Sequence, residues 1–423
     1  MRRLKRYICL VGLLALLAAA LTGCGFSDDS VEELFTLPRM AEEYTGLTQE
    51  LEALITQGYE YASPTGGRNI QSVQMADLDG DGQQEALAFF RMSSDEKPLK
   101  IFVFKIEGGS YARYCTIESS GTAIDRVYYQ DLNGDGRREL IVGWRISAEV
   151  QTVAVYTVAR EPVALMSSGY TRFTIQDLNG DGIPSLLVLR TDADSQPVAE
   201  FYGWQDEQMG VAYRCVLSST MASVNRGSLV SGRLDADTPA LYITGVDEQG
   251  MAATDILVFR SDLGLVNLAL SGSSTGVSNA VFPYRQLLPQ DINGDGIIEL
   301  PSPDTSWTAE QTDGLVSWLC CNGDGQLSTV AKTYHSLSCG WYFTIPESWW
   351  DWSVETATTS ISNENQFSLA INGDPVLSLY TITGENRENR GRMGKRVLLR
   401  RRTATIYAGE LNDAAAYYGM DED

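Results

Sequence analysis

Nine residues recur almost unchanged along this chain: Asp77-Leu-Asp-Gly-Asp-Gly-Gln-Gln-Glu85, Asp131-Leu-Asn-Gly-Asp-Gly-Arg-Arg-Glu139, Asp177-Leu-Asn-Gly-Asp-Gly-Ile-Pro-Ser185 and Asp291-Ile-Asn-Gly-Asp-Gly-Ile-Ile-Glu299. A worn copy, Asp235-Ala-Asp237-Thr-Pro-Ala-Leu241, lies between the third and the last of these. Counting the worn copy fourth and the last one fifth, the leading Asp residues stand 54, 46, 58 and 56 positions apart. A repeat of that length makes each unit one supersecondary element that must bury its faces against its neighbours. Within a copy, side-chain oxygens stand at positions 1, 3, 5 and 9, and Gly at 4 and 6 permits a tight loop. That arrangement is a cage for a hard cation.

The flanks of the loops read as strands. Ser72–Ala76, Arg126–Gln130 and Arg172–Gln176 precede a loop; Ala86–Phe90, Leu140–Trp144, Leu186–Arg190 and Leu241–Thr244 follow one. Each unit then closes with a hairpin, clearest in Ile101–Cys115, with counterparts at Thr152–Tyr156, Ala199–Trp204 and Ile256–Phe259. Four short strands per unit of this length is the arithmetic of a β-propeller blade. Asn322-Gly-Asp-Gly325 looks like a further cation loop, but it lacks the Asp two places earlier and falls in the hairpin slot of the fifth unit, so it is a turn.

Ca²⁺ takes about six to eight oxygen ligands in flexible geometry, which suits these loops. The first copy offers Asp77, Asp79, Asp81 and Glu85 with the carbonyl of Gln83; the second offers Asp131, Asn133, Asp135 and Glu139 with that of Arg137. The fifth offers Asp291, Asn293, Asp295 and Glu299 with the carbonyl of Ile297. The third, Asp177, Asn179 and Asp181, is weaker because Ser185 replaces the acid; the fourth has lost both glycines and is expected to hold no metal. An EF-hand needs an acid at position 12, where this chain has Ala88, Val142, Val188 and Ser302, and the loops open into strands. Extracellular calcium modules of this kind bind at roughly 10⁻⁴–10⁻³ M.

The repeated Asp-x-[Asp/Asn]-Gly-Asp-Gly-x-x-Glu loop between strands resembles the FG-GAP/VCBS repeats of integrin-α-like β-propellers, over about residues 68–337. The resemblance implies an all-β propeller whose loops join consecutive strands of a blade and bind structural Ca²⁺ at one rim. The Phe-Gly and Gly-Ala-Pro signatures of the family are absent, and five units are visible where closed members usually have seven. The ring then has five blades or borrows strands from elsewhere in the chain.

The chain ends organise the rest. Arg2, Arg3, Lys5 and Arg6 precede an apolar run from Ile8 to Ala20 and then Leu21-Thr-Gly-Cys24, a secretory signal too short to span a bilayer comfortably. The last four of these residues resemble a bacterial lipobox, which implies a lipid on Cys24, attachment to the membrane through it, and an extracytoplasmic location at the cell envelope. The expected divisions are a signal over 1–23, a spacer and amphipathic helix over 24–67, the propeller over 68–337 and a small β-rich domain over 338–423. The helix is expected between Pro38 and Ile55, with Met40, Tyr44, Leu47, Leu51, Leu54 and Ile55 on one face. In the C-terminal region Gln366–Ile371 and Val376–Tyr380 read as strands, and Arg387–Arg402 as a basic hairpin.

Whole-chain charge is −23, and cleavage of the signal leaves 28 basic residues against 55 acidic, or −27. Such a surface repels phosphate backbones and excludes nucleic acid as a partner. Catalytic signatures are lacking: the single His335 has no triad partners in sequence, and no Gly-x-Ser-x-Gly elbow or phosphate loop is present. Cys115, Cys215, Cys320, Cys321 and Cys339 are odd in number and show no CxxC spacing, so they read as small buried residues. Trp349, Trp350 and Trp352 suit sugar stacking or, more simply, a domain core. The expected role is non-catalytic binding or scaffolding, with a protein or glycan on the propeller face. The alternatives are a polysaccharide-acting lyase or hydrolase using face carboxylates, which needs a carboxylate pair apart from the loops, and a plain spacer.

Overall fold

The computed structural model describes residues 42–246, 252–269, 281–282, 287–303 and 313–420. The chain is all-β apart from short helices, and every strand pairing is antiparallel. It begins with α1 (Glu42–Thr56), then a first sheet of β1 (Glu60–Tyr61), β2 (Val73–Ala76), β3 (Glu85–Arg91), β4 (Leu99–Glu107) and β5 (Ser110–Ser119). The second sheet is β6 (Ala123–Gln130), β7 (Glu139–Arg145), β8 (Gln151–Tyr156) and β9 (Ala164–Gly169). The third is β10 (Arg172–Gln176), β11 (Ser185–Thr191), β12 (Pro197–Gln205) and β13 (Gln208–Val216). The one-turn α2 (Met221–Val224) leads to β14 (Ser228–Arg233), β15 (Pro239–Val246), β16 (Ala252–Arg260) and β17 (Gly264–Asn267), with β18 (Val281–Phe282) added to β16. The fifth sheet holds β19 (Leu300–Pro303), β20 (Asp313–Cys321), β21 (Leu327–Ser336) and β22 (Trp341–Ile345).

Each repeat sheet is a meander in sequence order, the blade-like unit expected from the repeat. Cysteine-to-leucine pairing of Cys321 with Leu327 closes the hairpin at Asn322–Gly325, which is a turn as expected.

Strands after the loops are buried on both faces, so they read as continuous apolar runs rather than alternating ones. In β3, Leu87 and Phe89 face the second sheet, while Ala86, Ala88 and Phe90 face α1. In β7, Leu140, Val142 and Trp144 complete the first inter-sheet core and Ile141 enters the next. Leu186 and Val188 of β11 look back to the second sheet while Leu187 and Leu189 look forward, and β15 divides in the same way. Fully burying such a side chain contributes about 1.5–3 kcal/mol. The sheets therefore stack in chain order, with one apolar layer between each neighbouring pair.

The two ends of the stack are covered by different means. α1 lays Leu47 and Leu54, with half-buried Tyr44 and Leu51, on Phe90, Phe102, Phe104 and Tyr111 of the first sheet. Ile55, expected on the same face, is 48% exposed, because it stands one position past Leu54 and turns away. At the other end, Leu315 and Tyr334 of the fifth sheet share a core with Phe367, Leu369 and Ile371 of the C-terminal sheet. Among the described residues, no apolar cluster joins the first sheet to the fifth. Helix α1 thus covers the outer face of the first sheet and the C-terminal sheet that of the fifth.

The C-terminal sheet runs in the order β23 (Val354–Ile361), β24 (Glu364–Ile371), β25 (Asp374–Thr383), β27 (Thr405–Leu411), β26 (Val397–Arg401). Two sequence expectations change here. β22, beyond the expected boundary at 337, pairs with β21 from Lys332↔Ile345 to Ser336↔Trp341, so the fifth sheet extends past that point. The basic stretch Arg387–Arg402 is not a hairpin by itself: it forms the turn of helix α3 (Arg387–Arg390) and then edge strand β26, whose partner β27 lies beyond it. Asn386, just before the stretch, and Gly394, within it, both have positive φ and bracket the helical turn.

Candidate metal centres

The four intact loops share one hydrogen-bond pattern, and local chemistry dictates it. Asp at position 1 accepts the N–H groups of both glycines: Gly80 and Gly82 on Asp77 at 2.8 and 3.1 Å, Gly134 and Gly136 on Asp131 at 2.6 and 2.8 Å. Asp177 holds Gly180 and Gly182 at 2.7 and 2.9 Å, and Asp291 holds Gly294 and Gly296 at 2.6 and 2.9 Å. Both glycines of each loop have positive φ, between 73° and 87°, which a residue with a Cβ adopts only under strain. Asp at position 5 accepts the N–H at position 7: Gln83 on Asp81, Arg137 on Asp135, Ile183 on Asp181 and Ile297 on Asp295, all at 2.8 Å. These bonds fix the side chains of positions 1 and 5 against the backbone of their own loop.

Position 9 closes the cage from the strand. Glu85, Glu139 and Glu299 are 2%, 5% and 1% exposed, and each Oε2 accepts the N–H of position 2, from Leu78, Leu132 and Ile292 at 2.7, 2.8 and 3.0 Å. Burial raises all three carboxyls above the ordinary glutamate value, against the lowering effect of that N–H. A buried carboxylate with one oxygen satisfied and the other turned to the loop is costly without a cation. In the first loop the second oxygen, Glu85 Oε1, has no hydrogen-bond partner at all. Leu78, Leu132 and Leu178 at position 2 are buried in the inter-sheet cores, so each loop is anchored to the stack.

The donor set fits Ca²⁺, because the side chains at positions 1, 3, 5 and 9 of the first, second and fifth loops all offer carboxylate or amide oxygens. In the first loop Asp77, Asp79 and Glu85 bring carboxylate oxygens within 4.8 Å of one another. That loop also carries a feature hidden from the sequence. Lys105 of β4 reaches in and contacts Asp79 directly, with Asp81 at 3.2 Å and Glu85 at 4.0 Å. Its pKa is raised, first by the hydrogen bond to Asp79. Lys105 supplies an internal counter-charge where the other loops have none.

Strand register explains this. Ala86 pairs with Phe104, so Glu85 lies across from Lys105. The same register places Thr157 across from Glu139, Gly203 across from Ser185 and Cys320 across from Glu299. The signal was a lysine at one hairpin position in one repeat, which acquires meaning only when the strands are aligned.

In the third loop Ser185 provides no such acid, yet Asn179 Oδ1 is buried without a partner while Asn179 Nδ2 binds Asp181 at 2.7 Å. The worn copy is a shorter turn: Arg233 pairs with Pro239 and only Leu234–Thr238 lie between, whereas Asp77–Gln84 separate Ala76 from Glu85. Asp235 there caps the N–H groups of Asp237 and Thr238 at 3.0 and 2.9 Å, which leaves no cage.

Neighbouring loops touch along one rim. A Cβ on Gly80 would meet the Gly136 carbonyl at 2.6 Å, and one on Gly134 would meet Ile183 Cδ1 at 2.7 Å. Arg138 N–H donates to Leu78 O at 2.7 Å, joining the first loop to the second.

The remaining candidates disperse. Cys24, with the signal, the residues around Thr36–Met40 and their expected roles, lies outside the described residues. His335 is buried, stacked on Tyr342 at 5.2 Å, and its pKa is pushed down by burial to about 4. Trp349 belongs to the C-terminal core, Trp350 packs against it and Trp352 is 38% exposed. The five described cysteines are free thiols, Cys115 and Cys321 buried and the others half-buried. No helix among the described residues is long and apolar enough to cross a membrane.

No family model and no curated protein matches the chain. Among solved structures it is similar to the β-propeller domain of the Trilobed protease from Pyrococcus furiosus, described as having an open velcro topology. The identity is 10%, over 80% of this chain and 90% of that one, with a TM-score of 0.27, too slight a likeness to carry an argument. The class the described residues define is an all-β stack of four- and five-stranded antiparallel sheets.

Proposed function

We propose that the protein is a calcium-stabilised, lipid-anchored binding or scaffolding protein of the cell envelope, built on FG-GAP/VCBS-like repeats. The observation that carries the calcium reading is the buried position-9 glutamate. Glu139 and Glu299 are almost fully buried at the base of an oxygen-rich loop, each with its Oε2 held by the backbone N–H of position 2, and among the described residues no Lys or Arg pairs with either. Loops two and five are the principal sites; loop one must displace Lys105, and loop three lacks its acid. Bound ions tie the rim together, because adjacent loops are in contact.

Attachment through Cys24 rests on the lipobox-like sequence. A non-catalytic role is favoured by the state of the buried acids outside the loops. Asp125 is paired with Arg126 at 2.7 Å and Tyr170 at 2.9 Å, Glu200 with Arg190 at 2.7 Å, and Asp255 with Ser218 N–H at 2.9 Å and Asn267 at 2.8 Å. Groups so committed serve structure, not acid–base chemistry. A polar cleft of about 490 Å³ lies beside the first loop; in its lining Asn69, Gln74 and Tyr129 are hydrogen-bonded within the protein, and Gln71, Gln84 and Arg138 are the polar side chains a glycan would meet.

Calorimetric calcium titration of residues 25–423, with a thermal melt in calcium and in chelator, tests the reading. Two or more saturable sites and a chelator-sensitive melt are expected. Absence of binding with an unchanged melt would return the loop acids to other chemistry. Membrane fractionation of the parent and Cys24→Ser tests the anchor, the variant being expected in the soluble fraction.

A further inference from the structure

We infer that the groove between the fifth sheet and the C-terminal sheet binds a single-chain amphiphilic anion, its apolar chain on the groove floor and its oxyanion head at Arg400 and Arg402. The groove has a volume of about 470 Å³, within the usual range of small-molecule sites. Leu377 and Leu379 of β25 and Leu411 of β27 form its floor, and Trp341 and Phe343 of β22 form one wall. Gly409 makes the hollow. A Cβ there would stand 3.1 Å from Leu399 Cδ1 and 3.4 Å from Leu379 Cδ2, so any side chain would fill the space between those leucines. Tyr407 stays at the edge because its hydroxyl donates to Cys339 O at 3.0 Å.

The charge pattern specifies the ligand. In a chain of net charge −23, three cations stand on the rim of this one apolar hollow: Lys395, Arg400 and Arg402. Lys395 is engaged by Asp413 at 2.9 Å, but among the described residues Arg400 and Arg402 have no carboxylate partner. Arg402 lies over the Tyr407 ring at 5.6 Å, which leaves its N–H fork available. The one carboxylate of the lining, Glu410, is engaged by the Tyr380 hydroxyl at 3.4 Å. Along β26 and just beyond it, Val397 and Leu399, 54% and 59% exposed, give way to Arg400 and Arg402. A ligand matching this strand is apolar at one end and anionic at the other. Guanidinium groups recognise carboxylate or phosphate oxygens through paired N–H bonds, so both heads belong to the class.

The test uses the full chain with monomeric dodecanoate and dodecyl phosphate as probes, dodecyltrimethylammonium and decanol as controls, and phosphatidylglycerol vesicles as a separate arm. Saturable one-to-one binding of at least one anion is expected, unchanged by chelator, and at least tenfold weaker for both controls. Arg400→Gln/Arg402→Gln, at exposed positions, should weaken the anion at least tenfold with an unchanged melt, and Gly409→Leu should abolish binding. Equal affinity for the cationic amphiphile, an unaffected double variant, or binding to vesicles without binding of either monomer would each overturn the proposal.

Discussion

Glu139→Gln in the second loop should change the sign of its effect with calcium. The parent side chain is 5% exposed and its Oε2 accepts the Leu132 N–H at 2.8 Å. Glutamine retains an acceptor for that donor, so the roughly 1–3 kcal/mol penalty of an orphaned buried N–H is avoided. It also removes a charge whose burial is unfavourable, as the raised carboxyl pKa indicates. In chelator the variant should therefore match the parent or slightly exceed it. In calcium it has lost a charged ligand. At about 10 mM Ca²⁺ and a Kd of roughly 10⁻⁴–10⁻³ M, binding to the native state contributes about 1.4–2.7 kcal/mol per site. Loss of that contribution lowers the Tm by about 2–3 °C, at roughly 1.2 °C per kcal/mol for a cooperative unit of about 400 residues. Scanning calorimetry of both proteins in calcium and in chelator, at matched ionic strength, reads the effect directly. An equal drop in both buffers would refute the reasoning and make Glu139 a purely structural acceptor. Glu139→Ala is the control: it orphans the Leu132 N–H, so it should lose about 1–3 kcal/mol in chelator, where Gln does not, and the calcium contribution besides in calcium.

Lys105→Met leaves Glu85 buried beside Asp79 and Asp81 without counter-charge, so it should cost about 1–3 kcal/mol in chelator and recover in calcium, with tighter binding at the first loop. Failure of calcium to restore the melt would show that Lys105 does not compete for that site. His335 has a folded pKa of about 4 against 6.5 in the unfolded chain, so the unfolded state takes up the proton first and stability falls as pH drops through this window. Between pH 7 and 5 the loss is about 2 kcal/mol, and His335→Phe should remove it from pH-dependent melts; parallel curves for the two proteins would contradict the assignment. Leu54→Ala, at a position of α1 with 0% exposure, should cost about 2–5 kcal/mol and increase dye binding at the Phe90–Phe102 face, while an unchanged melt would mean the helix is not a cap.

What was legible in the amino-acid sequence was what short-range chemistry decides. Asp at position 1 and glycines at 4 and 6 build their loop from bonds spanning at most five residues, so Asp131 and Gly136 can be placed without knowing the fold. The flanking runs, Leu140–Trp144 for example, announce strands because β7 is buried on both faces. Even the false loop at Asn322–Gly325 could be set aside by its place in the repeat. Tertiary structure alone decided which copy meets a lysine and how the stack ends. Lys105 meets the first cage only through the register of β3 and β4, across a separation in sequence that no local pattern spans. β22 extends the fifth sheet, and the basic stretch becomes a helical turn and an edge strand, each settled by pairing with residues outside its own segment. Local hydrogen bonds determine a turn wherever its residues occur, but which groups meet across strands, and which faces need covering, depends on the whole assembly of sheets.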